Sequence, residues 1–153
     1  MTEDYSENLL KTFDLWHLFL HPKQFPYVGR CYAVARRGFK DEIDMRLRQM
    51  PEAKKVTDMS SRETIELFDI IVPEWDEAVK ALFGHDWPNV AILGNEWPHL
   101  HAHLIPRYNT PRNFQGMEFV DPNPKGNYAP YPKKELPAET LIAIRDAMKG
   151  KLN

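Results

Sequence analysis

The chain has 153 residues, 42% of them hydrophobic and 27% charged, with a formal net charge of −2. That length fits one ordinary domain, and the composition is that of a packed globular protein rather than a disordered chain. The charge balance argues against a protein built on duplex nucleic acid, which would carry a basic excess, but leaves room for a small phosphorylated ligand.

The acidic segment Met1–Leu10 lacks the basic-then-apolar pattern of a leader, and no apolar run approaches the ~20 residues of a membrane span. Cys31 is the single cysteine, so no intramolecular disulfide can form, which fits a reducing compartment. The expectation is a cytoplasmic protein with no membrane or nucleic-acid partner.

Leu15–Leu20 is an aromatic and apolar run closed by Pro22, and Cys31–Ala35 is a second, opened by Gly29-Arg30. Together they predict a β-hairpin with a longer loop. In Asp41–Lys55 the spacing of Ile43, Leu47 and Met50 fits a short amphipathic helix, and a mobile surface insertion fits as well. Ser60-Ser-Arg-Glu63 has the capping-box pattern and opens a helix over Ser60–Phe83. Its expected apolar face is Ile65, Phe68, Val72, Trp75, Val79 and Leu82, with Gly84 as the stop. Pro73 predicts a kink or a break into two helices. Val90–Leu93 and Leu100–Ile105 read as strands, the second stopping at Pro106. Many of the thirteen prolines fall after position 105, which predicts an extended, loop-rich C-terminal third. A last helix is expected over Glu139–Lys149 with Leu141, Ile144 and Met148 inward. The fold class is α+β, with a largely antiparallel sheet, a long central helix and a C-terminal helix. It is read as a single domain over 1–153, with its core at about 13–110 and a proline-rich extension and helix at 111–153.

His99, His101 and His103 occupy alternate positions, separated by Leu100 and Ala102 and followed by Leu104. A strand has a side-chain period of two, so the imidazoles share one face and the apolar residues the other. Successive imidazoles then lie ~7 Å apart and the outer pair ~13 Å apart, a row suited to an extended ligand. Neutral imidazole is a nucleophile toward phosphorus near pH 7, and a neighbouring imidazole can donate to phosphate oxygens or to a leaving group. Two histidines spaced His-x-His can share a zinc ion. The third would not reach the same ion from a flat strand, and Glu96, His17, His21, His85 and Cys31 form no ligand motif with the row. No metal site is expected and no cofactor is needed for the chemistry; Mg2+ would enter as the substrate's counter-ion.

The segment His99-Leu-His-Ala-His-Leu-Ile-Pro-Arg107 resembles the signature of the histidine triad (HIT) family. Phe19-Leu20-His21-Pro-Lys-Gln24 with Gly29-Arg30-Cys31 resembles the first hairpin of a bacterial branch related to the fragile-histidine-triad and diadenosine polyphosphate hydrolases. Asn89 and Leu93-Gly94-Asn95 also fit, so the resemblance covers Leu15–Arg107, with an unusual stretch at 41–57. It implies an α+β domain paired into a homodimer, and attack on the α-phosphorus of a nucleotide. His101 would be the nucleophile, giving a nucleotidyl-histidine intermediate that water resolves. His103 would donate to the phosphate or leaving group, and His99 would orient His101 and line the phosphate site. His21 would lie near the ribose, Phe19 and Leu20 near the base, and Asn89 and Asn95 near the ribose or phosphates. Apart from the resemblance, Arg107 follows the triad and could collect polyphosphate charge.

Two departures bear on the substrate. Arg30 stands where many members carry a fourth histidine; it can pair with phosphate oxygens but cannot act as an acid–base group. Asn95-Glu96-Trp97-Pro98 replaces a longer Gly- and Gln-containing loop, and Glu96 would repel anions unless it points away. Arg112 and Lys125 read as solvated loop charges or polyphosphate contacts. Asn127-Tyr128-Ala-Pro-Tyr131 could close over a base or pack on the sheet. Trp97 is expected near the ligand, and Cys31 reads as a buried, inert thiol. The resulting expectation is a hydrolase of dinucleoside polyphosphates or related nucleotide conjugates. The alternatives are a nucleotide phosphorylase or nucleotidyl transferase, and a non-catalytic nucleotide-binding sensor.

Overall fold

The structure is a computed structural model that describes residues 5–152; the expectation for the acidic N-terminus lies partly outside them. A single helical turn, α1 (Tyr5–Asn8), leads into β1 (Leu9–Thr12). Then follow β2 (Trp16–Leu20), β3 (Cys31–Ala35), β4 (Trp87–Ala91) and β5 (His101–Arg107). These five form an antiparallel sheet in the order β1-β2-β3-β5-β4. The fold is α+β, as the pattern of runs predicts.

The pleat sorts the side chains. Trp16, Leu18 and Leu20 of β2, Cys31, Ala33 and Ala35 of β3, and Ala102 and Leu104 of β5 face one side and join a single buried cluster. The opposite face carries two rows across the sheet: Phe19 opposite Tyr32 opposite His103 opposite Ala91, and His17 opposite Val34 opposite His101.

The first face is covered by one long helical run: α3 (Ser61–Ile65), a π-helical stretch (Glu66–Ile71) and α4 (Val72–Phe83). The capping box is formed, with Ser60 accepting from the Glu63 N–H and Glu63 accepting from the Ser60 N–H. Gly84 ends the helix in the left-handed conformation at φ 63°. The irregularity expected at Pro73 takes the form of the wide turn just before it, where the Val72 N–H bonds the Leu67 carbonyl five residues back. A wider turn advances the apolar stripe. Leu67, Ile71, Trp75, Val79 and Phe83 are therefore buried, while Ile65 and Phe68 of the expected face are exposed. The C-terminal helix α5 (Ala138–Lys151) sends Ile144 and Met148 into the same cluster, with Leu141 packed against it.

Three expectations are corrected. The segment 41–55 holds only one helical turn, α2 (Met45–Arg48), with Ile43 and Met50 exposed; its buried residues are Glu42 and Ala53. Its order comes from polar anchors: Glu42 takes His17 Nε2 at 2.7 Å and the Arg36 guanidinium at 2.8 Å. Second, β5 runs through Pro106 to Arg107, and β4 begins earlier, at Trp87. The β3–β5 pairing ends at Cys31 opposite Leu104, so no ladder on that side needs the missing proline donor. Third, the C-terminal third contains a short hairpin, β6 (Arg112–Phe114) and β7 (Met117–Phe119). No described helix is long and apolar enough to cross a membrane.

Candidate active site

His101 and His103 project from β5 into a cavity of about 730 Å3. Its walls include His21 and Lys23 after β2, Arg30 and Tyr32, Asn95–Trp97 before β5, and Tyr128–Tyr131 and Lys133 of the C-terminal extension. The two imidazoles meet edge to face at 5.0 Å between ring centres, and His21 lies 6.0 Å from His103. Trp97 closes the other side, 4.9 Å from His101.

Hydrogen bonds fix which nitrogens carry protons. His101 Nδ1 lies 2.6 Å from the main-chain oxygen of His99. A carbonyl only accepts, so Nδ1 carries the hydrogen and Nε2 of a neutral ring keeps its lone pair. His21 Nδ1 accepts the Lys23 backbone N–H at 3.1 Å. His103 Nδ1 is buried without a hydrogen-bond partner. Burial lowers the pKa of all three rings. His103 falls to about 4, with His101 and Arg30 adding to the effect. His21 falls to about 2, through burial and then chiefly Arg30 and His103. His101 is lowered mainly by burial, against the opposing pull of its bond to His99. The cavity therefore presents neutral imidazoles at pH 7.

Arg30, 2% exposed, supplies positive charge to the wall. Its Nη1 donates to the Tyr131 hydroxyl at 3.0 Å, the guanidinium lies 5.2 Å from that ring, and Nε is buried with no partner. Tyr128 and Tyr131 stack at 6.3 Å, and Tyr27 donates to the Tyr128 carbonyl. The extension thus lies over the cavity as an aromatic strap.

Other residues singled out from the sequence lie elsewhere. The His99 side chain turns from the cavity: Nε2 donates to the Ala35 carbonyl at 2.7 Å and Nδ1 faces Glu52 at 2.8 Å. What reaches His101 is its main-chain oxygen. Leu20 faces the helix side of the sheet and belongs to the main core. Phe19 is buried against Tyr32 at 5.4 Å, in a small cluster with Val34 and Phe39. Arg107 cannot collect phosphate charge here, because its guanidinium is fully engaged. Nε and Nη2 hold Asp121, Nη1 holds Asn89 Oδ1 and the Gly126 carbonyl, and Nη2 also holds the Asn123 carbonyl. Asn89 is accordingly Arg107's partner and borders a neighbouring groove. Arg112 bonds the Phe83 and Gly84 carbonyls at the end of α4. Cys31 is fully buried, which pushes its thiol up. Glu52 and Tyr27 were not singled out by the sequence. Among the described residues, no group of three or more His, Cys, Asp or Glu is arranged to hold a metal ion.

Known structures share this fold. A histidine triad protein from Sinorhizobium meliloti superposes with a TM-score of 0.65 at 18% identity, over 99% of this chain and 96% of that one. The chain has the histidine triad fold. A histidine triad protein from Bradyrhizobium japonicum matches at 0.64 and 18% identity, covering 97% and 93% of the two chains. A hypothetical histidine triad nucleotide-binding protein from Sulfolobus tokodaii matches at 0.65 and 13%, covering 95% and 83%. No family model matches the chain, and no curated protein does.

Proposed function

We propose that this histidine triad protein is a nucleotide hydrolase of the branch related to the fragile-histidine-triad and diadenosine polyphosphate hydrolases. It acts on dinucleoside polyphosphates or related nucleotide conjugates. The observation that carries the reading is the 2.6 Å bond from His101 Nδ1–H to the His99 carbonyl. It leaves Nε2 as a free nucleophile on a ring that borders the cavity. In the proposed reaction Nε2 attacks the α-phosphorus, the bond to the leaving group breaks, and a nucleotidyl-histidine forms; water then releases the nucleoside monophosphate. His103 and Arg30 would donate hydrogen bonds to the phosphate oxygens and the departing group. Asn95 at the cavity rim and His21 would contact the nucleotide. The chemistry needs no metal, and Mg2+ serves the polyphosphate as counter-ion. The homodimer implied by the family resemblance belongs to the same proposal.

The test is turnover of diadenosine tri- and tetraphosphate and of adenosine phosphoramidate, with and without EDTA, beside His101→Ala. The expected result is release of a nucleoside monophosphate and a covalent nucleotidyl adduct on His101 after acid-free quenching. In His101→Ala the rate falls by about 10³-fold or more, as when a nucleophile is removed. EDTA has no effect that Mg2+ does not reverse. Nucleoside diphosphate formed on adding inorganic phosphate would make the protein a phosphorylase. Nucleotide binding without turnover would make it a sensor.

A further inference from the structure

The segment 38–58 contributes nothing to the cavity wall, yet it reaches the nucleophile from behind. Its chain lies against the start of β5, where the Leu100 N–H donates to the Ala53 carbonyl at 2.9 Å. Gly38, at φ 68°, lets it come that close: a Cβ there would sit 2.5 Å from the Glu52 Cα. This approach delivers the Glu52 carboxylate to His99 Nδ1 at 2.8 Å.

The proton count at His99 then follows from its two partners. The Ala35 carbonyl at 2.7 Å can only accept, so Nε2 bears a hydrogen. An ionised carboxylate also only accepts, so Nδ1 bears one too. The ring is clasped between Trp97, stacked at 5.4 Å, and Phe39 at 5.4 Å, and is 1% exposed. Its main-chain oxygen, meanwhile, is the acceptor that fixes the tautomer of His101.

We infer that Glu52 is a positioning residue for the nucleophile, acting through His99: it holds that ring doubly protonated and immobile, and so keeps the His99 carbonyl aligned on His101 Nδ1–H. This rests on His101 being the nucleophile. The side chain of Glu52 is 38% exposed, so the ion pair adds little to stability. Its effect is on where protons and the carbonyl sit. Glu52 faces His99 from the 38–58 segment; His101 follows it on β5; Phe39, Trp97 and the Ala35 carbonyl supply uncharged walls.

The experiment is long-range nitrogen–proton NMR of the histidine side chains at pH 7, in the wild type and in Glu52→Gln. Glutamine keeps the size and the hydrogen bond but loses the charge. In the wild type, His99 should show both nitrogens protonated and His101 protonation on Nδ1 alone. In Glu52→Gln, His99 should lose one proton, His101 should populate its other tautomer, and turnover of diadenosine polyphosphate should fall on the order of tenfold, the usual scale for an orienting group one shell out. Glu52→Asp, which restores charge with a shorter reach, should recover part of both signals. A singly protonated His99 in the wild type overturns the inference, as does an unchanged His101 tautomer in Glu52→Gln. The resonances are read without substrate. A protein that turns over no nucleotide therefore refutes the hydrolase separately, while the proton counts still decide the link from Glu52 to His101.

Discussion

Arg30 is the residue whose chemistry departs most from a row of histidines. Burial and a bond to Tyr131 hold its guanidinium in the wall of the cavity, with Nε still unpaired. A buried donor without a partner is a loss that an anionic ligand can repair. Arg30→Gln should therefore raise the KM for diadenosine polyphosphates by about tenfold, equivalent to about 1.4 kcal/mol and within the range of a charge-assisted hydrogen bond. The kcat should change less. Steady-state kinetics separate the two; a KM unaltered by the substitution would remove Arg30 from the binding site. The histidines and Arg30 were legible in the sequence because strand alternation and hairpin position are local properties. Tyr27 and Glu52 were not, since they meet their partners across 101 and 47 residues. His99 shows the limit of periodicity. It shares the alternation of His101 and His103 but stands just before β5, where the pleat does not govern its side chain.

At the scale of elements, Arg107 shows how a functional motif can carry a structural residue. It ends β5 and pins the extension from Asp121 to Gly126 with four N–H bonds, its fifth going to Asn89 on β4. Sequence reading took it for a phosphate ligand because Asp121 lies 14 residues on, in a stretch with no periodic pattern. Arg107→Ala leaves the buried Asp121 carboxylate without its cation, held only by the Tyr108 and Asn123 backbone N–H groups, and should destabilise the protein by about 3–5 kcal/mol, measured by denaturant unfolding. Arg107→Lys should restore little, since an ammonium cannot reproduce the fork. The strap carrying Tyr128 and Tyr131 should then loosen, visible as faster amide exchange over residues 121–131. The central helix makes a related point. Its boundaries followed from Ser60, Glu63 and Gly84, and its inward face from Val72 onward followed from the spacing of Trp75 and Val79, but the face before it, at Ile65 and Phe68, did not. One π-turn ahead of Pro73 rephased the stripe onto Leu67 and Ile71, and that choice belongs to packing against the sheet.

Taken as a whole, the molecule buries its helix-facing core on one side of the sheet and keeps neutral imidazoles on the other. This second burial makes the fold sensitive to mild acid. Burial first, then Arg30 and neighbouring histidines, hold His21 at about 2 and His103 at about 4. Unfolded, each would titrate near about 6.5. Between those values the unfolded chain binds protons that the folded chain refuses, so stability is fully present above about 6.5 and falls as the pH drops below it. Burial raises Glu42, but Arg36, the Asp44 backbone N–H and His17 outweigh it and bring it down to about 2. Its contribution is retained until the pH falls below the ordinary carboxylate range near about 4.5 and is then lost toward 2. The window from about 6.5 to 4.5 thus belongs to the histidines. Thermal melting should show a Tm that declines steadily from pH 7 to pH 5, and the double variant His21→Asn/His103→Asn should flatten that decline. A wild-type Tm constant across the window would mean that these rings accept protons in the folded state, and the neutral nucleophile of the proposed reaction would lose its physical basis. A bound polyphosphate should act in the opposite direction, since its charge favours the protonated rings. Melting at pH 5.5 with saturating nucleotide should therefore recover more of the Tm than the same ligand adds at pH 7.5.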